Sequence, residues 1–246
     1  MRLAANLTLL FTEAPALRRP ALAAQAGFDG VEVLFPYDHA IAEWQDALGD
    51  LPVALINTPP GDWAAGERGW AAVPGAETRF RDDFRRAVDH ALGLKAGLIH
   101  VMSGIASGPE AEATLLRNLD WAAGQAGSVG LVIEPLNPID MPGYFLNDFA
   151  QTARLLAQFD PSTVGLQVDL WHVWRLGRCF ADVWRDFGPL ARHIQIAGRD
   201  GRHEPDAGSA AELANLQGFS GWIAAEYIPS GPTSENLGWM DTVRGR

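Results

Sequence analysis

The chain has 246 residues, 48% of them apolar, so it can bury a sizeable core, and disorder is excluded as a general description. Its formal net charge of −11 argues against a nucleic-acid partner, because phosphate binding draws on an excess of Lys and Arg, although a few local arginines could hold a small anion. One cysteine, Cys179, excludes an intramolecular disulfide and fits a reducing cytoplasm, and no apolar run approaches the ~20 residues needed to span a bilayer.

The N-terminal stretch MRLAANLTLLFTEAPA loosely mimics a signal peptide, but Asn6 and Thr8 interrupt its apolar run, and a first strand over Leu3–Leu10 explains it better. A helix is expected over 15–26, closed by Gly27 in a left-handed cap. Strand Gly30–Val33, helix 39–48 and strand Val53–Ile56 follow. A long connection rich in Pro, Gly and Trp occupies 57–76. Next come helix 77–94, strand Gly97–Val101 and helix 110–127, with Pro109 at its start, where a missing N–H costs nothing. Strand Gly130–Ile133 leads to helix 147–158, which Asn147 can cap. The last units are strand Val164–Val168, helix 171–185, strand His193–Ile196, a short helix 208–217, strand Trp222–Ala225 and helix 234–243. Strand followed by helix eight times predicts an α/β fold, a single (β/α)8 TIM barrel over residues 1–246.

Chemistry in such a barrel sits where the strands end. The predicted ends carry Asn57, His100, Glu134, Asp169, Gln195 and Glu226. Residues two apart in a strand share a face, so Val132 pairs with Glu134, Gln167 with Asp169, His193 with Gln195 and Ala224 with Glu226. If those faces point inward, three carboxylates and an amide converge on one layer. Clustered carboxylates repel, and burial raises their pKa values. A divalent cation resolves the conflict, and an oxygen-rich site suits Mg²⁺ or Mn²⁺. The same residues could instead be rim groups with ordinary salt bridges or loop-capping roles, and the pattern alone leaves both readings open.

Six stretches carry a family resemblance: AGFDGVEVLFPYD (26–38), NTPPGDWAAGERGWAAVPG (57–75), IEPLNPIDMPGYFLN (133–147), LQVDLWH (166–172), HIQIAGRDGRHEP (193–205) and AAEYIPSG (224–231). In this order they resemble the hydroxypyruvate isomerase family of xylose-isomerase-like barrels, over most of the chain. The resemblance implies an isomerase that interconverts hydroxypyruvate and tartronate semialdehyde or isomerises 2-oxo-tetronates. It implies Glu134, Asp169, Gln195 and Glu226 as metal ligands and Glu134 and Glu226 as the acid–base pair. Related sugar epimerases tend to carry His at the third ligand, so Gln195 matches the isomerase branch. The chain departs from the family after GRHEP, where the seventh helix is short and an expected Glu is missing.

Further expectations attach to nearby residues. His100 would hydrogen-bond substrate oxygens or serve as a structural histidine, Asn57 would line the same mouth, and His172 would support a metal ligand from behind. Arg202 and His203 would bind a substrate carboxylate, to which an arginine fork is matched, the competing reading being a solvent-exposed loop pair. The segment GDWAAGERGW would fold over the mouth as a lid, with Arg68 as its anion contact, or else Trp63 and Trp70 are simple packing residues. The expected partner is a small oxo acid, with no nucleic acid and no membrane; a homo-oligomer is left open. A sugar epimerase or dehydratase, a catalytically inactive barrel and a DNA-repair endonuclease are the alternatives within the superfamily.

Overall fold

The structure is a computed structural model and describes residues 1–213, 216 and 218–245. Eight parallel strands close into a barrel in sequence order. They are β1 (Arg2–Asn6), β2 (Gly30–Val33), β3 (Val53–Asn57), β4 (Leu98–His100), β5 (Gly130–Ile133), β6 (Val164–Asp169), β7 (Ala191–Ile196) and β8 (Trp222–Ala225), with β8 pairing back onto β1. The surrounding α-helices are α1 (Arg19–Gln25), α2 (Ile41–Leu48), α3 (Glu77–Leu94), α4 (Gly108–Gln125), α5 (Phe149–Leu156), α6 (Leu170–Arg175), α7 (Phe180–Phe187), α8 (Ala207–Leu213) and α9 (Trp239–Arg244). No helix among the described residues is long and apolar enough to cross a membrane.

The strands read as nearly continuous apolar runs because both of their faces are covered. Outward residues such as Val31, Ile56, Ile99, Leu131, Leu166 and Ile194 join the main core beneath the helices. The α3–α4 layer is tied together by Phe80, Phe84 and Trp121, whose ring centroids lie 5.8–6.2 Å apart. Inside the barrel a separate apolar plug forms from Ala4, Leu55, Leu98, Val132 and Ala224, with Trp222 packed against it. One alternation further along each strand the interior turns polar: Asn6 follows Ala4, His100 follows Leu98, Glu134 follows Val132 and Glu226 follows Ala224. The plug is therefore the floor of a buried polar layer at the C-terminal end.

Three details differ from the sequence expectations, and a fourth falls partly outside the described residues. β1 stops at Asn6, whose carbonyl accepts from the amides of Leu9 and Leu10, while its side-chain oxygen accepts from Thr8, turning the chain out of the strand. The helix expected over 171–185 is two, because Gly177 adopts φ +70° and the amides of Gly177 and Arg178 bond back to Trp174 and Val173, closing α6. Asp148, not Asn147, caps α5 by accepting from the amides of Ala150 and Gln151; Asn147 donates to the Tyr144 carbonyl instead. The helix expected over 208–217 is described as far as Leu213, and its positions 214, 215 and 217 lie outside the described residues.

Candidate active site

Asp169 closes β6, Gln195 lies one residue before the end of β7, and Glu134 and Glu226 directly follow β5 and β8. The β6–β7 register sets Asp169 beside Gln195. All four are at most 8% exposed, so the inward orientation expected from strand alternation is the one observed. Asp169 is held from two sides: its Oδ1 accepts from the Trp171 amide at 2.9 Å, and its Oδ2 accepts from Arg202 Nη2 at 2.8 Å. The same Arg202 nitrogen donates to Glu226 Oε2 at 2.6 Å. Glu134 Oε2 accepts from Gln167 Nε2 at 2.8 Å, while Glu134 Oε1 is buried with no hydrogen-bond partner.

Burial, reinforced by Asp169 and Glu226, holds the Glu134 carboxyl well above the usual carboxylate range. Burial does the same to Glu226, and the nearby Arg202 guanidinium opposes it only in part. Anionic oxygens thus outnumber the cations facing them, and one oxygen of Glu134 has no donor. A hard divalent cation fits such a donor set: it would neutralise the cluster and use the free lone pairs.

Glu134, Asp169 and His172 each bring one potential ligand atom within 4.8 Å of the others. Hydrogen bonding decides the role of the histidine. The Asn137 backbone N–H can only donate, and it donates to His172 Nδ1 at 3.1 Å; the Asn137 side-chain Nδ2 lies 2.7 Å from the same atom. Burial lowers the His172 pKa to about 4, so the ring is neutral and its proton sits on Nε2. Nε2, 3.6 Å from Asp169 Oδ2, therefore presents a hydrogen rather than a lone pair. His172 therefore backs a carboxylate.

The substrate contacts expected from sequence separate into two sets. His100, Asn57 and Arg202 all reach the polar layer. His100 is buried 3.8 Å from Glu134 Oε2, both its ring nitrogens lack partners, and burial drives its pKa down to about 3, so it is neutral. Asn57 is 5% exposed and its side-chain oxygen has no partner. Arg202 arrives with φ +56°. His203, its neighbour, instead hydrogen-bonds the Ile228 carbonyl through Nδ1 at 2.8 Å. Arg68 is occupied by its own loop, donating to the carbonyls of Trp63 and Glu67 and stacking 3.6 Å from the Trp63 ring centroid.

A second polar row, which the sequence reading left without a role, lies between these residues and the apolar plug. Glu32 on β2 is fully buried and accepts from Asn6 Nδ2, His193 Nε2 and Gln195 Nε2, each at 2.7 Å. Gln167 Nε2 bridges Glu134 and Gln195. A usable signal was present, since Glu32, Gln167 and His193 are polar residues within strand runs otherwise made of apolar ones. A cavity of about 740 Å³, bordered by Arg2, Arg192, Phe219 and Trp222, opens at the opposite end, where the strands begin. It does not contain the carboxylates.

A closed parallel barrel with a carboxylate-rich mouth defines the class of protein, and comparison agrees: the sequence model of the xylose isomerase-like TIM barrel family matches residues 20–243, and the chain belongs to that family. Within it the chain groups with the hydroxypyruvate and 2-oxo-tetronate isomerases. It is 42% identical to the 2-oxo-tetronate isomerase of Cupriavidus necator, over 100% of this chain and 99% of that one. It is 35% identical to the hydroxypyruvate isomerase of Escherichia coli, over 99% of this chain and 100% of that one. The solved structure of a Brucella melitensis protein described as an AP endonuclease, family 2, superposes with a TM-score of 0.89 at 38% identity, covering 97% of each chain.

Proposed function

We propose that the protein isomerises a small hydroxy-oxo acid, of which hydroxypyruvate and 2-oxo-tetronates are the representatives suggested by its relatives. The observation that carries this reading is the pair Glu134 and Glu226, two buried carboxyls of raised pKa directly after strands β5 and β8, with Asp169 and Gln195 at the ends of the strands between them. Glu134, Asp169, Gln195 and Glu226 would hold one Mg²⁺ or Mn²⁺. When bound, that ion supplies electrophilic stabilisation of negative charge on the substrate oxygens.

For hydroxypyruvate, one carboxylate removes a proton from C3, and the C–H electron pair becomes the C2=C3 bond of an enediolate. A proton passes from the C3 oxygen to the C2 oxygen. The carbon proton is then delivered to C2 as the C3–O carbonyl forms, giving tartronate semialdehyde. Glu134 and Glu226 serve as base and acid, the roles that two positioned carboxyl groups flanking the reacting carbons can fill. Arg202 turns its remaining N–H groups to the substrate carboxylate. Neutral His100 donates to a substrate oxygen.

The net charge of −11 supports this reading over a nucleic-acid substrate, whose phosphates the chain as a whole repels. Incubation with Mn²⁺ and a panel of short oxo acids in D2O tests it. The expected result is interconversion with deuterium entering at the carbon that receives the proton. Failure to convert any acid of the panel, with metal bound, overturns the assignment.

A further inference from the structure

We propose that Glu32 is a positioning residue that sets the amide orientation of Gln195, so that the Gln195 carbonyl oxygen, and not its NH2, faces the cation. This rests on the metal-binding reading above and adds to it a residue outside the ligand set.

A glutamine is an ambiguous ligand. Its Oε1 can bind a cation and its Nε2 cannot, yet the two ends have nearly the same shape, and a half-turn about the last torsion exchanges them. Something must choose between the two orientations before a cation arrives. Glu32 supplies that choice. As a carboxylate it only accepts hydrogen bonds, so Gln195 can satisfy it only with the Nε2 end, which lies 2.7 Å from Glu32 Oε1. The opposite end, Oε1, then lies against Gln167 Nε2, which also contacts Glu134. Gln167 reads the same orientation from the other side: its Nε2 donates to Gln195 Oε1 at 2.8 Å and to Glu134 Oε2 at 2.8 Å. A flipped Gln195 would set NH2 against NH2 at Gln167 and leave the Glu32 carboxylate facing an oxygen.

Glu32 is itself fixed. Asn6 Nδ2, on the neighbouring strand, donates to Oε1, and His193 Nε2, reaching across the barrel from β7, lies 2.7 Å from Oε2. The carboxylate is fully buried, and so is His193, whose position two residues before Gln195 puts it on the same inner face. A carboxylate in so enclosed a place is costly unless every contact is a donor, and here three donors surround it. The presence of a fully partnered acid there is what a device for orienting an amide requires.

Glu32→Gln tests the inference, because a glutamine at 32 can present its own NH2 to Gln195 and so tolerate either orientation. Binding of Mn²⁺ alone is measured by calorimetry on purified protein, with no turnover involved. Removing an outer hydrogen-bond partner of a metal ligand typically weakens binding by about 10–100-fold. Glu32→Gln is therefore expected to weaken Mn²⁺ binding about tenfold or more in the wild-type background, and to have no further effect in a Gln195→Ala background. The reciprocal exchange, Glu32→Gln with Gln195→Glu, restores a donor–acceptor pair and presents a ligand whose two oxygens are equivalent, so it should bind Mn²⁺ within a few fold of wild type. This exchange also serves if the single variant fails to fold. Wild-type affinity in Glu32→Gln, an equal loss in the Gln195→Ala background, or weak binding by the exchanged pair overturns the inference. Failure of the metal reading itself shows separately, as an absence of Mn²⁺ binding by the wild-type protein.

Discussion

Arg202 Nη2 stands 2.6 Å from Glu226 Oε2 and bridges from there to Asp169. The guanidinium thus faces two of the carboxylates assigned to the cation, and its neighbours hold it firmly in the protonated state despite burial. Arg202→Ala removes this charge. In metal-free protein the two acids then face each other without a counter-cation, and the melting temperature should fall by an amount that corresponds to a few kcal/mol, the scale for breaking a buried pair. Saturating Mn²⁺ should remove most of that difference. The KM for an acid substrate should rise more than that for a neutral ketose of similar size. Equal effects on both substrates would exclude the carboxylate-binding role.

Glu134→Gln and Glu226→Gln should each reduce turnover by about a hundredfold or more, the usual scale for a positioned acid or base. The amide keeps an oxygen for the cation but cannot exchange a proton. Metal content and turnover should be measured on the same preparation. Near-normal turnover with metal bound would remove that residue from proton transfer.

The gathering of Glu134, Asp169, Gln195 and Glu226 on one inner face was legible in the sequence because strand periodicity is local. Once Val132, Gln167, His193 and Ala224 are placed inside the barrel, Glu134, Asp169, Gln195 and Glu226 must follow on the same face. Which residues touch was not legible. Glu32 and Gln195 are 163 positions apart and meet only because the sheet closes between β8 and β1. The tautomer of His172 likewise depends on Asn137, 35 positions earlier, which no helix or strand period connects to it. The α6–α7 break was missed because the amphipathic pattern runs on through Gly177, whose left-handed conformation ends the helix.

Gly69 carries a prediction about the long connection after β3. It adopts φ +91°, and a Cβ placed on it would lie 2.5 Å from the Met102 side chain and 2.6 Å from the Met102 carbonyl oxygen. Both effects oppose a side chain, and neither contact is with the far end of a flexible group. Gly69→Ala should destabilise the fold by about 1–3 kcal/mol, the cost of an unfavourable backbone conformation, with the steric shift added to it. Chemical denaturation measures it, and an unchanged midpoint would show that the loop adapts.

The same anchoring narrows which part of the 57–76 segment can close over the mouth. Gly69 bridges Ser103, the amides of Ala71 and Ala72 donate to the carbonyls of Met102 and Ser103, and Asn118 Nδ2 donates to the Ala71 carbonyl. Residues 69–72 are thus fixed to the loop after β4 and to α4, and Gly69 acts as an anchor rather than a hinge. The tip before it is built differently. Gly61 and Gly66 have positive φ, and Trp63 is 44% exposed, touching Phe35 at 5.9 Å between ring centroids and Arg68 on its other contact. The prediction is that this tip closes as a unit on its glycines, carrying the Trp63–Arg68 stack with it and excluding water from the charged layer. Amide hydrogen exchange should therefore slow over 60–68 when an unreactive oxo-acid analogue is added with Mn²⁺, while 69–72 is already protected without it. Arg68→Ala should weaken the slowing by releasing Trp63 from its cation–π contact. Unchanged exchange over 60–68 at saturating analogue would make the whole connection a fixed wall of the mouth, leaving substrate access open throughout turnover.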